Sequence, residues 1–104
     1  MVNRPSTAEL DAMVEEATVD AYDEYEQQAA FHTVISERLA VPFDTVVLGQ
    51  TVTVRAIDLR PGTQIAAICT HGRHQQAIGI LDLPLPNPAP PGAEWIAAYR
   101  HWAL

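Results

Sequence analysis

The sequence predicts an α+β fold. N-terminal helices cover a small antiparallel, SH3-like curled sheet, and a Pro-rich segment leads to a short C-terminal helix. Three observations predict it. Apolar residues recur at helical spacing as far as Leu39. The period then falls to two, and Thr51-Val52-Thr53-Val54-Arg55 alternates cleanly between β-branched apolar and polar side chains. Finally, Leu83 to Gly92 is too rich in proline for either regular structure, and an aromatic helical stripe follows it.

Each element has its own signal. Ser6 and Glu9 have capping-box spacing, and Leu10, Met13, Val14 and Ala17 follow on one helical face. The segment 1–19 is thus expected as an acidic helical arm, free to move. Val19 is β-branched, and Asp20 or Asp23 can cap a new helix, so the chain should break between them. A second helix is expected over 24–40, with Phe31, Val34, Ile35 and Leu39 inward and Tyr25 and Gln28 at the margin. Pro42 stops it.

The sheet is expected over 43–82. Thr45 to Leu48 reads as a strand, Gly49-Gln50 as a two-residue turn, and Thr51 to Arg55 as the returning strand with Val52 and Val54 inward. Pro61-Gly62 is the next turn. Ile65 to Thr70 is apolar on both faces and therefore central. Gly72 turns the chain, and Gln76 to Leu81 is the fourth strand. The extended segment 83–92 precedes a helix over 93–102 that places Trp95, Ile96, Tyr99 and Trp102 on one side. Those aromatics suit a tail anchored on the core better than a Pro-rich ligand for an SH3 or WW domain.

The chain has 104 residues, enough for a single domain over 1–104 with a modest core. Its net charge of -7 argues against nucleic acid and anionic membranes, both polyanions, as partners. A cation or a basic protein remains compatible. Cys69 is the only cysteine, so no internal disulfide can form. The N-terminal MVNRPSTAEL lacks the apolar core of a signal peptide, and no apolar run approaches the ~20 residues of a membrane helix. A cytoplasmic, soluble protein is expected.

The chemistry concentrates in Asp20-Ala21-Tyr22-Asp23-Glu24-Tyr25-Glu26. Packed carboxylates repel one another unless counterions or a hard divalent cation sit among them. The run lacks the internal Gly and closing Glu of an EF-hand loop. On a helix, Asp20, Asp23, Glu24 and Gln27 share a face, and Glu26 points elsewhere unless the chain bends. A calcium site would need backbone carbonyls or a carboxylate from another segment, such as Asp44, Asp58 or Asp82. A solvated acidic helix face explains the same residues without any metal. Cys69-x-His71-x-x-His74 has zinc-ligand chemistry, but three ligands at this spacing fit no standard finger. Arg73-His74-Gln75-Gln76 reads as a solvated turn. No G-x-S-x-G, phosphate loop or H-E-x-x-H occurs, and no catalytic role is expected.

The segments Ala30-Phe31-His32-Thr33, Leu39-Ala40-Val41-Pro42-Phe43 and Ala67-Ile68-Cys69 lead into Leu81-Asp82-Leu83-Pro84-Leu85-Pro86 and Gly92-Ala93-Glu94-Trp95-Ile96-Ala97-Ala98-Tyr99-Arg100-His101-Trp102. Together they resemble a family of small bacterial calcium-binding proteins of the cyanobacterial calcium-binding protein type. The resemblance covers roughly Asp20 to Trp102. It implies a compact α/β domain that takes up Ca²⁺ without an EF-hand, as a buffer or signalling modulator. Where such proteins carry further acids after the second strand, this chain has Leu59-Arg60-Pro61-Gly62. The resemblance therefore points to Asp20, Asp23, Glu24 and Glu26 as ligands, with Glu37 and Asp44 as helpers. The alternative from another class is an acidic interaction module for a basic protein partner, with no specific metal site.

Overall fold

Residues 5–60 and 64–104 are described by a computed structural model. Their order is α1 (Thr7–Ala17), α2 (Glu24–Arg38), β1 (Phe43–Val47), β2 (Gln50–Leu59), β3 (Ile65–His71), β4 (His74–Gly79), a 3₁₀ turn (Ile80–Asp82) and α3 (Glu94–Ala103). The described residues form an α+β domain in which three helices accompany a four-stranded antiparallel sheet. No helix among the described residues is long and apolar enough to cross a membrane. The turn expected at Pro61-Gly62 lies outside the described residues.

Both N-terminal helices start where side chains can satisfy orphan amides. The Ser6 Oγ accepts from the Glu9 amide at 3.1 Å, and the Glu9 carboxylate accepts from the Ser6 amide at 3.2 Å, completing a capping box. The Asp23 Oδ1 accepts from the Glu26 amide at 2.7 Å and starts α2. Phe31, Ile35 and Leu39 carry α2 into the core, while Tyr25 turns outward. Leu10, Met13 and Val14 pack against the core, and the His101 imidazole meets Asp11 at 2.7 Å. Helix α1 is therefore docked on α3 rather than standing off as an arm.

The sheet is a meander in the order β1-β2-β3-β4. Its first turn is Leu48-Gly49, one residue earlier than expected. Both residues have positive φ, 50° and 79°, as a type I′ hairpin turn requires. Val47 then pairs with Gln50 and Thr45 with Val52. This register keeps Thr45 and Val54 buried on the same face, and a one-residue slip would turn the slipped strand's inward residue out. The fourth strand begins at His74, paired with His71, and ends at Gly79, paired with Ala66. It cannot run to Leu81 because β3 supplies no partner beyond Ile65. The chain instead takes a 3₁₀ turn that drives Ile80 into the core.

The Pro-rich segment lies along the domain and is tied to it. Thr45 donates its hydroxyl hydrogen to the Pro84 carbonyl at 2.6 Å, Leu83 is buried, and the Ala40 amide donates to the Pro91 carbonyl at 2.8 Å. Trp95, Ile96 and Tyr99 are then buried on α3, as the aromatic stripe predicts. The Trp102 Nε1–H donates to Gln27 Oε1 at 2.9 Å, fixing the end of α3 beside the start of α2. The tail is anchored on the core.

Candidate cation site at the α1–α2 junction

The junction follows from the failure of one helix and the capping of the next. The Thr18 hydroxyl donates to the Val14 carbonyl at 2.7 Å, and the Thr18 backbone caps α1. This ends the helix and leaves Val19 to Tyr22 as a connection. Asp20, Asp23, Glu24 and Glu26 are all exposed there. Among the described residues, none of the four forms an ion pair with an arginine or histidine.

The cap divides the four. Asp20 and Glu26 border one shallow groove of about 400 Å³ beside Val19 and Tyr25. Asp23 and Glu24 border a second depression, with Tyr22, Gln27 and Trp102. A straight helix would join Asp20 to Asp23 and Glu24 and set Glu26 apart, and the expected break between Asp20 and Asp23 changes that. The extended Asp23 backbone, with φ -126° and ψ 172°, redirects the chain and pairs Asp20 with Glu26 instead. The expected helpers are elsewhere. Glu37 lies about 20 Å along the axis of α2 from Glu24, at 1.5 Å per residue. Asp44 sits on β1, where its Oδ1 accepts from the Thr53 hydroxyl at 2.7 Å.

Calcium prefers six to eight oxygen ligands. The junction offers the right donor chemistry, hard carboxylate oxygens, but not a protein-built cage. Among the described residues, no three His, Cys, Asp or Glu side chains converge to hold a metal ion. Each depression offers at most two carboxylates, so a cation held there would take most of its ligands from water.

The other sequence cluster also finds a place. The exposed half of the core-side sheet face forms a cleft of about 620 Å³, bordered by Val47, Val52, Cys69, His71, His74 and Gln76. Cys69 and His71 are two residues apart on one strand face, and the His71–His74 pairing brings both imidazoles to the same end. The three border one cleft without converging on a common point. His71 is held by its Nδ1, 2.9 Å from the Thr51 carbonyl. A carbonyl partner requires that nitrogen to be the donor. Sequence spacing alone could not reveal the shared cleft, because Val47 and Val52 reach it through long-range pairing.

Cys69 is buried, and burial pushes its thiol above the ordinary value of 9.0. Burial likewise raises the Tyr99 phenol above 10.0, opposed by its backbone hydrogen bond to Ile65. Both groups are charged only when deprotonated, so the folded state resists a proton loss that the unfolded chain allows. Stability from this source is complete below pH 9 and declines as pH rises past it. Two results are expected. Native Cys69 should react with a thiol reagent only at the rate of unfolding near pH 8. The urea midpoint should also fall from pH 8 to pH 10, less steeply in Cys69→Ala. A thiol modified rapidly in the native protein would contradict the burial.

No family model, curated protein or solved structure matches this chain.

Proposed function

We propose that this chain is a non-EF-hand calcium-binding domain that takes up Ca²⁺ weakly at the α1–α2 junction, as a calcium buffer or signalling modulator. One observation carries the reading: four exposed carboxylates within seven residues, without a cationic side-chain partner among the described residues. Such a concentration of charge is relieved by a counterion, and a divalent ion relieves it more than a monovalent one. The resemblance through the L-D-L-P-L-P and G-A-E-W-I segments supports the same activity. A water-rich site of this kind should bind on the order of micromolar to millimolar. The β half and the aromatic tail act as scaffold.

The test is calorimetric titration of metal-stripped protein with Ca²⁺, with Mg²⁺ as control, at about 0.15 M salt. Saturable heat specific to Ca²⁺ is expected. The native state should gain about 2.7 kcal/mol at a hundredfold excess over Kd, read as a rise in Tm. Asp20→Asn with Glu26→Gln should abolish most of that rise. Asp23→Asn removes a charge but keeps the helix start capped, since Asn caps as well as Asp. Any loss in that variant therefore reports on the metal and not on folding. Equal heats for the two ions, or an unchanged response in all these variants, would refute the reading.

A further inference from the structure

The groove bordered by Asp20 and Glu26 has features that a hydrated cation does not require. Its floor is made of small side chains, Ala29 and Ala30 on α2. Val19 and Tyr25 stand beside it, 74% and 67% exposed, although each could have been polar at no cost to the core. Tyr22, the next large apolar side chain along the connection, is 84% exposed. Three of the most exposed large hydrophobics of the described chain therefore fall within seven residues. Clustered exposure of this kind marks a surface that is covered in use. Calcium has no use for Val19 or for the aromatic faces.

The charge around the groove selects the occupant. A carboxylate borders it on both the α1 side and the α2 side, and no arginine among the described residues lines it. Nucleic acid and anionic lipid are repelled, and a second copy of a chain of net charge -7 would bring like charges together. A segment with an apolar stripe and basic flanks matches both the floor and the rim. A volume of about 400 Å³ suits one or two protruding side chains. Tyr25 also offers its ring face to a lysine or arginine.

We propose that this groove docks an amphipathic segment of a basic protein partner. An aliphatic side chain of the partner sits on the alanine floor between Val19 and Tyr25. Its flanking lysines or arginines pair with Asp20 and Glu26. The surface shares these carboxylates with the proposed calcium site but does not depend on calcium, so the test is run in chelator and either reading can fail alone.

The probe is a fluorescently labelled helical peptide with leucine at heptad a and d positions and lysine elsewhere. The control peptide has the same length and charge, with serine replacing leucine. Anisotropy is followed at about 0.15 M salt with chelator present. The leucine–lysine peptide should bind saturably and about tenfold or more tighter than the serine control. Tyr25→Ala, which leaves the net charge unchanged, should weaken binding about tenfold. Leu48→Ser, at an exposed leucine on the remote β1–β2 turn, should leave it unchanged. The proposal is overturned if both peptides bind alike, if Tyr25→Ala binds as the parent does, or if Leu48→Ser weakens binding as much as Tyr25→Ala. Unchanged Tm values for the two variants would assign the affinity differences to the surface and not to folding.

Discussion

Gly92→Ala should destabilise the protein by about 2–4 kcal/mol and loosen the docking of α3. Gly92 has φ +91°, where an L side chain costs about 1 kcal/mol or more. The position is also crowded. A Cβ there would strike the Arg38 carbonyl and lie 2.7 Å from the Leu39 Cα. Both are backbone atoms at the end of α2, so no rotamer change relieves the contact, and forced overpacking adds about 1–3 kcal/mol. The close approach lets the Pro91 carbonyl accept from the Ala40 amide, while the Gly92 carbonyl accepts from the Trp95 amide at the start of α3. Gly92 thus joins the end of α2 to the start of α3. Gly49→Ala separates the two causes, because Gly49 has φ +79° but nothing within 4 Å of an added Cβ. It should cost about 1 kcal/mol, the conformational part alone. Urea midpoints at unchanged m would check both. Equal losses in the two variants would show that the close approach to α2 contributes nothing.

Much of this architecture is local, and local features are legible in a sequence. The Ser6–Glu9 box, the Asp23 cap, the inward Val54 and the aromatic face of α3 each follow from residues within one or two turns of one another. What could not be read depends on distant partners. The Leu48-Gly49 turn was hidden because leucine at φ 50° is not a turn residue by its chemistry; the strand register requires it there. Strand β4 stops at Gly79 because its neighbour starts at Ile65, a fact about β3. The docking of α1 packs Leu10, Met13 and Val14 on the core and brings Asp11 to His101, 90 positions away. The junction carries the same lesson. The break between Asp20 and Asp23 is legible in sequence, but which carboxylates it leaves together is not: the Asp23 cap bends the backbone and splits the four between two depressions. The groove of the proposed docking surface needs α1 and α2 in contact, and no window of sequence shows that.

Phe31→Ala should cost about 3–5 kcal/mol, a fifth or more of the stability of an ordinary domain of this size. Phe31 is fully buried, and its ring centroid lies 5.5 Å from those of both Tyr99 and Trp102, which stack on each other at 5.9 Å. Truncation leaves a void where α2 meets α3 and removes two aromatic contacts, each worth about 0.5–1.5 kcal/mol beyond simple burial. At roughly 4–8 °C per kcal/mol for a chain of this length, Tm should fall by more than about 10 °C. The same variant links the scaffold to the site. Trp102 is held to Gln27 through its indole N–H, and Gln27 lies one residue past Glu26. Emission from Trp102 should therefore shift to the red as water reaches the loosened ring. Calcium and peptide affinities, measured well below the new Tm, should weaken together because both need the first turn of α2 in place. Phe31→Leu fills most of the volume and should recover most of the stability. A Tm for Phe31→Ala within a few degrees of the parent would mean that the three rings are not what holds α2 to α3.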